Sequence, residues 1–283
     1  MRRFFLCLAL IATAAALPAQ QLTLPRQPGS IQFAVIGDMG TGRTPQYELA
    51  TRMETLRHTF PFDFVITLGD NIYGGSGAND FLTKFELPYK ALLDAGVKFY
   101  ASLGNHDGTE QSLYKPFNMG GRRYYTYKKG KTQFFALDSS YLSPEQLSWL
   151  EKELRNSTAD WKIPYFHHPL YSSAIKHGSD LEVRKVLEPL FLQYGVQVVF
   201  SGHDHVYERT KPQKGVSYFV EGAAGQLRKG NLKSGTSLTA IGYDQDLSFI
   251  LIDISGNTLS FQTVSRTGRI VDSGLVTRAG PID

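Results

Sequence analysis

Along this chain short apolar runs alternate with longer stretches whose apolar positions recur at helical spacing. Ile31–Ile36 reads as a strand, Pro45–Thr59 as a helix and Phe62–Leu68 as a second strand. A helical stretch then runs to Asp94, and Val97–Leu103 is a third strand. Strands separated by helices predict an α/β fold. Tyr124–Asp138 reads as a hairpin turning at Lys129-Gly130. Ser143-Pro144-Glu145-Gln146 combines an N-cap serine, a proline at the first helical position and a glutamine three residues on. That start predicts a helix continuing through Leu147, Leu150 and Leu154. Trp161–Phe166 and Val196–Phe200 are further strands. From Ser217 onward apolar and polar residues alternate between Gly-Asn and Thr-Gly turns, which predicts antiparallel strands closing a second sheet. No repeat, low-complexity tract or linker interrupts residues 31–283, so they are read as one domain.

The polar residues fall where the strands end. Ile36 leads into Gly-Asp-Met-Gly, Leu68 into Gly-Asp-Asn-Ile-Tyr and Leu103 into Gly-Asn-His-Asp. Phe166 leads into His167-His168-Pro169, and the strand ending at Phe200 into Gly-His-Asp-His. Open α/β sheets gather their chemistry beyond the carboxyl ends of their strands. Any one cluster also reads as a turn, and a pair such as His203/His205 as an ordinary loop. The ordered set of Asp38, Asp70, Tyr73, Asn105, His106, His167, His203 and His205 is what points to a site. Oxygen and imidazole donors without sulfur suit hard or borderline metal ions. A carboxylate such as Asp70 can bridge two ions, and two ions roughly 3.5–4 Å apart clamp a phosphoryl group for in-line attack.

Composition narrows the picture further. Arg2-Arg3, an apolar run from Phe4 to Leu17 and the small residues after it have the layout of a secretory signal peptide over residues 1–19. Cleavage after Ala16 or Ala19 fits, leaving a leader segment over residues 20–30. A secreted or periplasmic protein is expected, with no stable membrane insertion after cleavage. Cys7 is the only cysteine and leaves with the signal, so disulfides and thiolate ligands are excluded. The formal charge of +4 falls to +2 once Arg2 and Arg3 leave, too little to argue for a nucleic-acid or anionic-membrane partner. The mixture of Arg122, Arg123, Lys128, Lys129 and Lys131 with tyrosines is read as a charged hairpin guarding a sheet edge rather than a nucleic-acid surface. Asp107 and Asp204 are read either as partners that orient imidazoles or as turn-formers. His168 follows a candidate ligand on an extended segment, where successive side chains face opposite sides, and is read as a residue that supports the site or the fold rather than a ligand.

The five clusters, in this order, resemble the motifs of calcineurin-like metallophosphoesterases. That family usually has a histidine two residues after the first aspartate. Here Asp38-Met39-Gly40 lacks it, and Tyr73 stands at the end of Gly-Asp-Asn-Ile-Tyr instead. This exchange resembles purple acid phosphatases, and the resemblance, which extends through Gln146–Leu154 and Phe261–Gly274, is to their small, single-domain, tartrate-resistant type. The resemblance implies a four-layer α-β-β-α sandwich of two mixed sheets with a dimetal site at one sheet edge. It implies Fe(III) held by Asp38, Asp70, Tyr73 and His205, and a divalent ion (Fe, Zn or Mn) held by Asp70, Asn105, His167 and His203. His106 would contact phosphate or protonate the leaving oxygen, and His177 matches a second histidine on the substrate side. Pro164 departs from the family, which usually has valine there, and is expected to alter strand packing rather than ligation. The implied reaction is hydrolysis of small phosphate monoesters by a metal-bound hydroxide, that is, an acid phosphatase. The alternatives are a phosphodiesterase or nucleotide phosphohydrolase using the same site, and a secreted metal- or phosphate-binding protein without turnover. In animal members of the tartrate-resistant type a long loop covers the metals and is cut to raise activity. Only residues 139–143 occupy its place here, too few for a lid.

Overall fold

The computed structural model describes residues 23–278; the signal segment lies outside them, as does the start of the leader. Strand β1 (Ile31–Ile36) leads to helix α1 (Thr44–Arg57), β2 (Phe64–Leu68), the short helices α2 (Ala78–Phe81) and α3 (Lys90–Asp94), and β3 (Lys98–Ser102). The hairpin β4 (Tyr125–Lys129) and β5 (Thr132–Ala136) precedes α4 (Pro144–Asn156), β6 (Trp161–Phe166), α5 (Leu181–Gln193) and β7 (Val198–Ser201). Six further strands complete the chain: β8 (Tyr207–Thr210), β9 (Ser217–Glu221), β10 (Thr239–Tyr243), β11 (Ser248–Ser255), β12 (Thr258–Ser265) and β13 (Ile270–Thr277). Ser143 caps α4 by accepting the Gln146 N–H at 3.2 Å, as its sequence predicts. Asp180 caps α5 in the same way, accepting from the N–H groups of Glu182 and Val183.

The first sheet has six strands in the order β13-β12-β11-β1-β2-β3, and the second has seven in the order β10-β8-β9-β7-β6-β5-β4. Both are mixed. Strands β1, β2 and β3 run parallel, while β11 joins β1 antiparallel. Strands β5, β6, β7 and β9 run parallel, with antiparallel strands at both flanks. The tail from Ser217 departs from the sequence reading: β11, β12 and β13 extend the first sheet, and only β9 and β10 join the second. Alternation shows that a strand has one wet face, but not which sheet it joins; here that is set by β11 pairing with β1, more than two hundred residues away. Pro164 lies within β6, where its missing N–H is tolerated because the ladder to β7 is formed at Tyr165 and Phe166.

Successive residues of a strand face opposite sides of the sheet, and the second sheet uses both. Phe134 and Ala136 of β5, Ile163 and Tyr165 of β6, and Val198 and Phe200 of β7 point into the core between the sheets. Phe135, Phe166 and Val199 point outward against Leu150 and Leu154 of α4 and Leu187 and Phe191 of α5. Between the sheets Phe33 stacks on Phe64 at 5.0 Å and meets Phe134 edge-on at 5.3 Å. Leu49, Ala50 and Met53 of α1 cover the outer side of the first sheet. The layers are therefore helix, sheet, sheet, helix. The mostly apolar runs of β2 and β7 reflect burial on both faces.

Candidate metal centre

The parallel strands β1, β2 and β3 deliver Asp38, Asp70 and Asn105 to one end of the first sheet, and β6 and β7 deliver His167 and His203 to the same end of the second. Hydrogen bonds between the loops then join the sheets. The His203 N–H donates to Asp38 Oδ2 at 2.8 Å across the sheets, while the Gly202 N–H donates to the His167 carbonyl at 2.9 Å within the second. His167 Nδ1 lies 2.8 Å from the Leu68 carbonyl. Donating there fixes the tautomer and turns the Nε2 lone pair toward the site.

Asp38, Asp70 and His203 all hold left-handed backbone, with φ of 55°, 49° and 70°. Residues with a Cβ rarely adopt this conformation unless their surroundings impose it, and such positions cluster at functional sites. The loops also approach too closely for a side chain between them: a Cβ on Gly104 would lie 2.2 Å from Asp70 Oδ1. The glycine preceding Asn105 is therefore required by the position of Asp70.

Two groups of donors result. Asp38, Asp70 and His205 present ligand atoms within 4.8 Å of one another. The Tyr73 hydroxyl lies 3.1 Å from Asp38 Oδ1 and 3.3 Å from His205 Nε2. The second group is His167, His168 and His203, and in it His167 Nε2 lies 3.0 Å from His203 Nδ1, with Asn105 Oδ1 at 2.9 Å and Asp70 Oδ1 at 3.4 Å. Asp70 stands between the groups. At the rim the exposed His106 ring lies 5.0 Å from the Tyr73 ring, and the His106 backbone N–H donates to Asp70 Oδ1 at 3.0 Å. The exposed His177 ring lies 4.2 Å from that of His203.

The electrostatics of this cluster suit a cation. Burial, and then the neighbouring Asp70 carboxylate, push Asp38 well above the usual carboxylate range. Burial, and then Asp38, raise the Tyr73 phenol. Burial, with neighbouring imidazoles adding to it, pulls His203 down to about 2 and His167 well below the usual range. His205 falls to about 4 through burial and the charge of Arg228. The imidazoles thus stay neutral, the form that ligates metals. Two abutting carboxylates and three neutral imidazoles, with oxygen and nitrogen lone pairs converging, form a donor set that fits two metal ions.

At three side chains the structure decides what the sequence reading left open. His168 does not turn away: its ring lies 5.0 Å from that of His167 and 4.6 Å from that of His203, with Nδ1 2.9 Å from Ser139 Oγ. It lies beyond the end of β6, where strand alternation no longer applies. Asp107 orients no imidazole. Its carboxylate accepts from the N–H groups of Asn71, Ile72 and Gly104 and from the Asn71 amide, clasping the loops that carry Asp70 and Asn105. Burial and then Asp70 push Asp107 up to about 7, against the pull of those donors. Asp204 accepts from Ser172 Oγ at 2.7 Å and the Gly178 N–H at 3.2 Å, and so holds the loop that bears His177. Sequence reasoning missed Arg228, whose N–H donates to the His205 carbonyl at 2.9 Å. Its signal was a lone arginine soon after Gly-Ala-Ala-Gly, which no spacing rule links to the histidines.

The chain matches the family model described as calcineurin-like phosphoesterase over residues 31–207. It is 26% identical over 306 residues to purple acid phosphatase 4 of Arabidopsis thaliana, with 90% of each chain covered. It is also 26% identical over 289 residues to tartrate-resistant acid phosphatase type 5 of Rattus norvegicus, covering 85% of this chain and 88% of the relative. Among solved structures, GAP50, the anchor in the inner membrane complex of Plasmodium, superposes with a TM-score of 0.75 at 18% identity, covering 89% of this chain and 90% of that one. Purple acid phosphatase PPD1 from yellow lupin (Lupinus luteus) seeds superposes with a TM-score of 0.73 at 19% identity, covering 89% of this chain and 55% of that one.

Proposed function

The chain belongs to the calcineurin-like phosphoesterase family, and from that premise we propose that it is a dimetal acid phosphatase of the purple type, hydrolysing small phosphate monoesters. The observation that carries this reading is two adjoining donor groups, Asp38, Asp70 and His205 on one side and His167, His168 and His203 on the other, with Asp70 Oδ1 3.4 Å from His167 Nε2. In it Asp38, Asp70, Tyr73 and His205 hold Fe(III), and Asp70, Asn105, His167 and His203 hold a divalent ion. When bound, such a pair neutralises charge on the phosphoryl oxygens and supplies the water that attacks phosphorus. His106, exposed beside Tyr73, is placed to protonate the leaving alkoxide, and His177 to contact the phosphate across the rim. The purple-type relatives support this assignment, as does Tyr73 lying between Asp38 and His205. Burial keeps His203 and His205 neutral and so available as ligands. The signal-like first nineteen residues support export, and among the described residues no helix is long and apolar enough to cross a membrane.

His106→Ala tests the assignment. Its side chain contributes no candidate ligand, so both metals are expected to remain while kcat on an aryl phosphate falls on the order of 10²-fold. Wild-type turnover, or loss of metal, would refute the role.

The intact chain is expected to be fully active. The loop from Leu137 to Ser143 is pinned rather than free: Asp138 Oδ1 accepts from the N–H groups of Ser140 and Tyr141. Gln146 accepts the Asp138 N–H and donates to the carbonyls of Asp138 and Tyr141. Limited proteolysis with assays at each time point checks this. A several-fold rise in kcat after a cut between Asp138 and Glu145 would contradict it; steady or falling activity is expected.

A further inference from the structure

The segment after β9 connects the metal centre to the rim. Its Gln226 N–H donates to the Asp38 carbonyl at 3.1 Å, and its Arg228 N–H to the His205 carbonyl at 2.9 Å. The Asn231 carbonyl accepts the Ile175 N–H at 2.7 Å, and its side chain accepts the Lys176 N–H at 3.1 Å. The backbone thus brings Arg228 to His205 and ties it to the loop bearing Lys176 and His177.

Two features of this rim have no use in the reaction described so far. Arg228 Nη1 is buried without a hydrogen-bond partner. A guanidinium cannot shed its proton, and a buried donor left unpaired costs stability. Lys176 is exposed beside His177. Among the described residues no ion pair involves Arg228, Lys176, Lys229 or Lys233. After burial, Arg228 is the leading influence on both His177 and His205. Against these cations stand the carboxylates of Asp70, between the two donor groups, and Asp204, held by Ser172 and Gly178.

We propose that Arg228 and Lys176 form an anion subsite beside the metal centre, which holds a second phosphate of the substrate and selects small molecules bearing two phosphate groups. The inference rests on the phosphatase reading for where the first phosphate lies. A guanidinium presents a planar fork that pairs two oxygens of one phosphate, and the lysine adds a mobile point charge. The second phosphate can be linked directly to the first, as in pyrophosphate, or across a carbon skeleton, as in a sugar bisphosphate.

The test compares kcat/KM of the metal-loaded full chain on phenyl phosphate, pyrophosphate and fructose 1,6-bisphosphate. A preference on the order of tenfold or more for at least one two-phosphate substrate is expected, and which one shows how the phosphates are linked. Arg228→Gln is expected to abolish most of that preference, Lys176→Gln part of it, and Arg228→Lys to retain some. Lys176 is exposed, so its variant reads the subsite even if Arg228→Gln melts early. Calorimetric titration with pyrophosphate against orthophosphate reads the same subsite without turnover. A chain that hydrolyses no ester, yet whose preference for pyrophosphate disappears in the variants, would refute the phosphatase reading and keep the subsite. Equal losses on one- and two-phosphate substrates, or no loss together with an unchanged pyrophosphate preference, would overturn the subsite.

Discussion

Asp70→Asn is expected to lower kcat/KM on aryl phosphates by about 10³-fold or more while leaving the fold intact. Asp70 lies between both donor groups, with Oδ1 3.4 Å from His167 Nε2 and 3.0 Å from the His106 nitrogen. An amide of the same shape can still accept from His106 but cannot draw two cations together. Metal stabilisation of transition-state charge is worth several kcal/mol, and about 4 kcal/mol corresponds to roughly 10³ in rate. The metal-free variant is expected to melt no earlier than the metal-free parent, because the substitution removes the carboxylate that repels Asp38. That sign separates a ligand from a structural residue, whose loss would lower both. A variant retaining more than about a tenth of parental kcat/KM would exclude a bridging role.

Tyr73→Phe is expected to bleach the protein. A phenolate on ferric iron absorbs visible light, and the substitution removes only the hydroxyl. The loop should stay in place, because the Tyr73 N–H donates to the Gly40 carbonyl and its own carbonyl accepts Lys84 Nζ. Burial and the carboxylates of Asp38 and Asp70 all oppose ionising this phenol, so only a strongly acidic cation could hold it as phenolate. The band should vanish while most of the metal remains on Asp38, Asp70 and His205. A colourless parent protein carrying two zinc ions would refute the ferric assignment and leave the two-metal site standing.

The parts of this site that were legible in the sequence are those that chain order encodes. Strands β1, β2, β3, β6 and β7 each run into a polar cluster, and parallel pairing brings those clusters to one end. Asp38 and His203 could therefore be grouped before any contact between them was known. The parts that were not legible depend on partners distant in sequence. Asp107 looked like a companion of His106, yet it clasps the backbone of Asn71 and Ile72 on a neighbouring loop. His168 was expected to face away from His167, yet the chain bends after Phe166 and Ser139 Oγ lies 2.9 Å from its Nδ1. Strand β11 looked like part of a separate sheet, and only its register with β1 places it. Helix α5 went unassigned, although Asp180 caps it and Val183, Leu187 and Phe191 form its buried stripe. Pro189 within the same stretch weakened the helical pattern.

The most direct test of a two-metal phosphoesterase is to measure metal content and phosphoester turnover on the same purified chain, before and after chelation. The expected result is about two ions per chain, loss of turnover as they are removed, and recovery when iron and a divalent ion are returned. Undiminished turnover in a chain stripped of metal would contradict it.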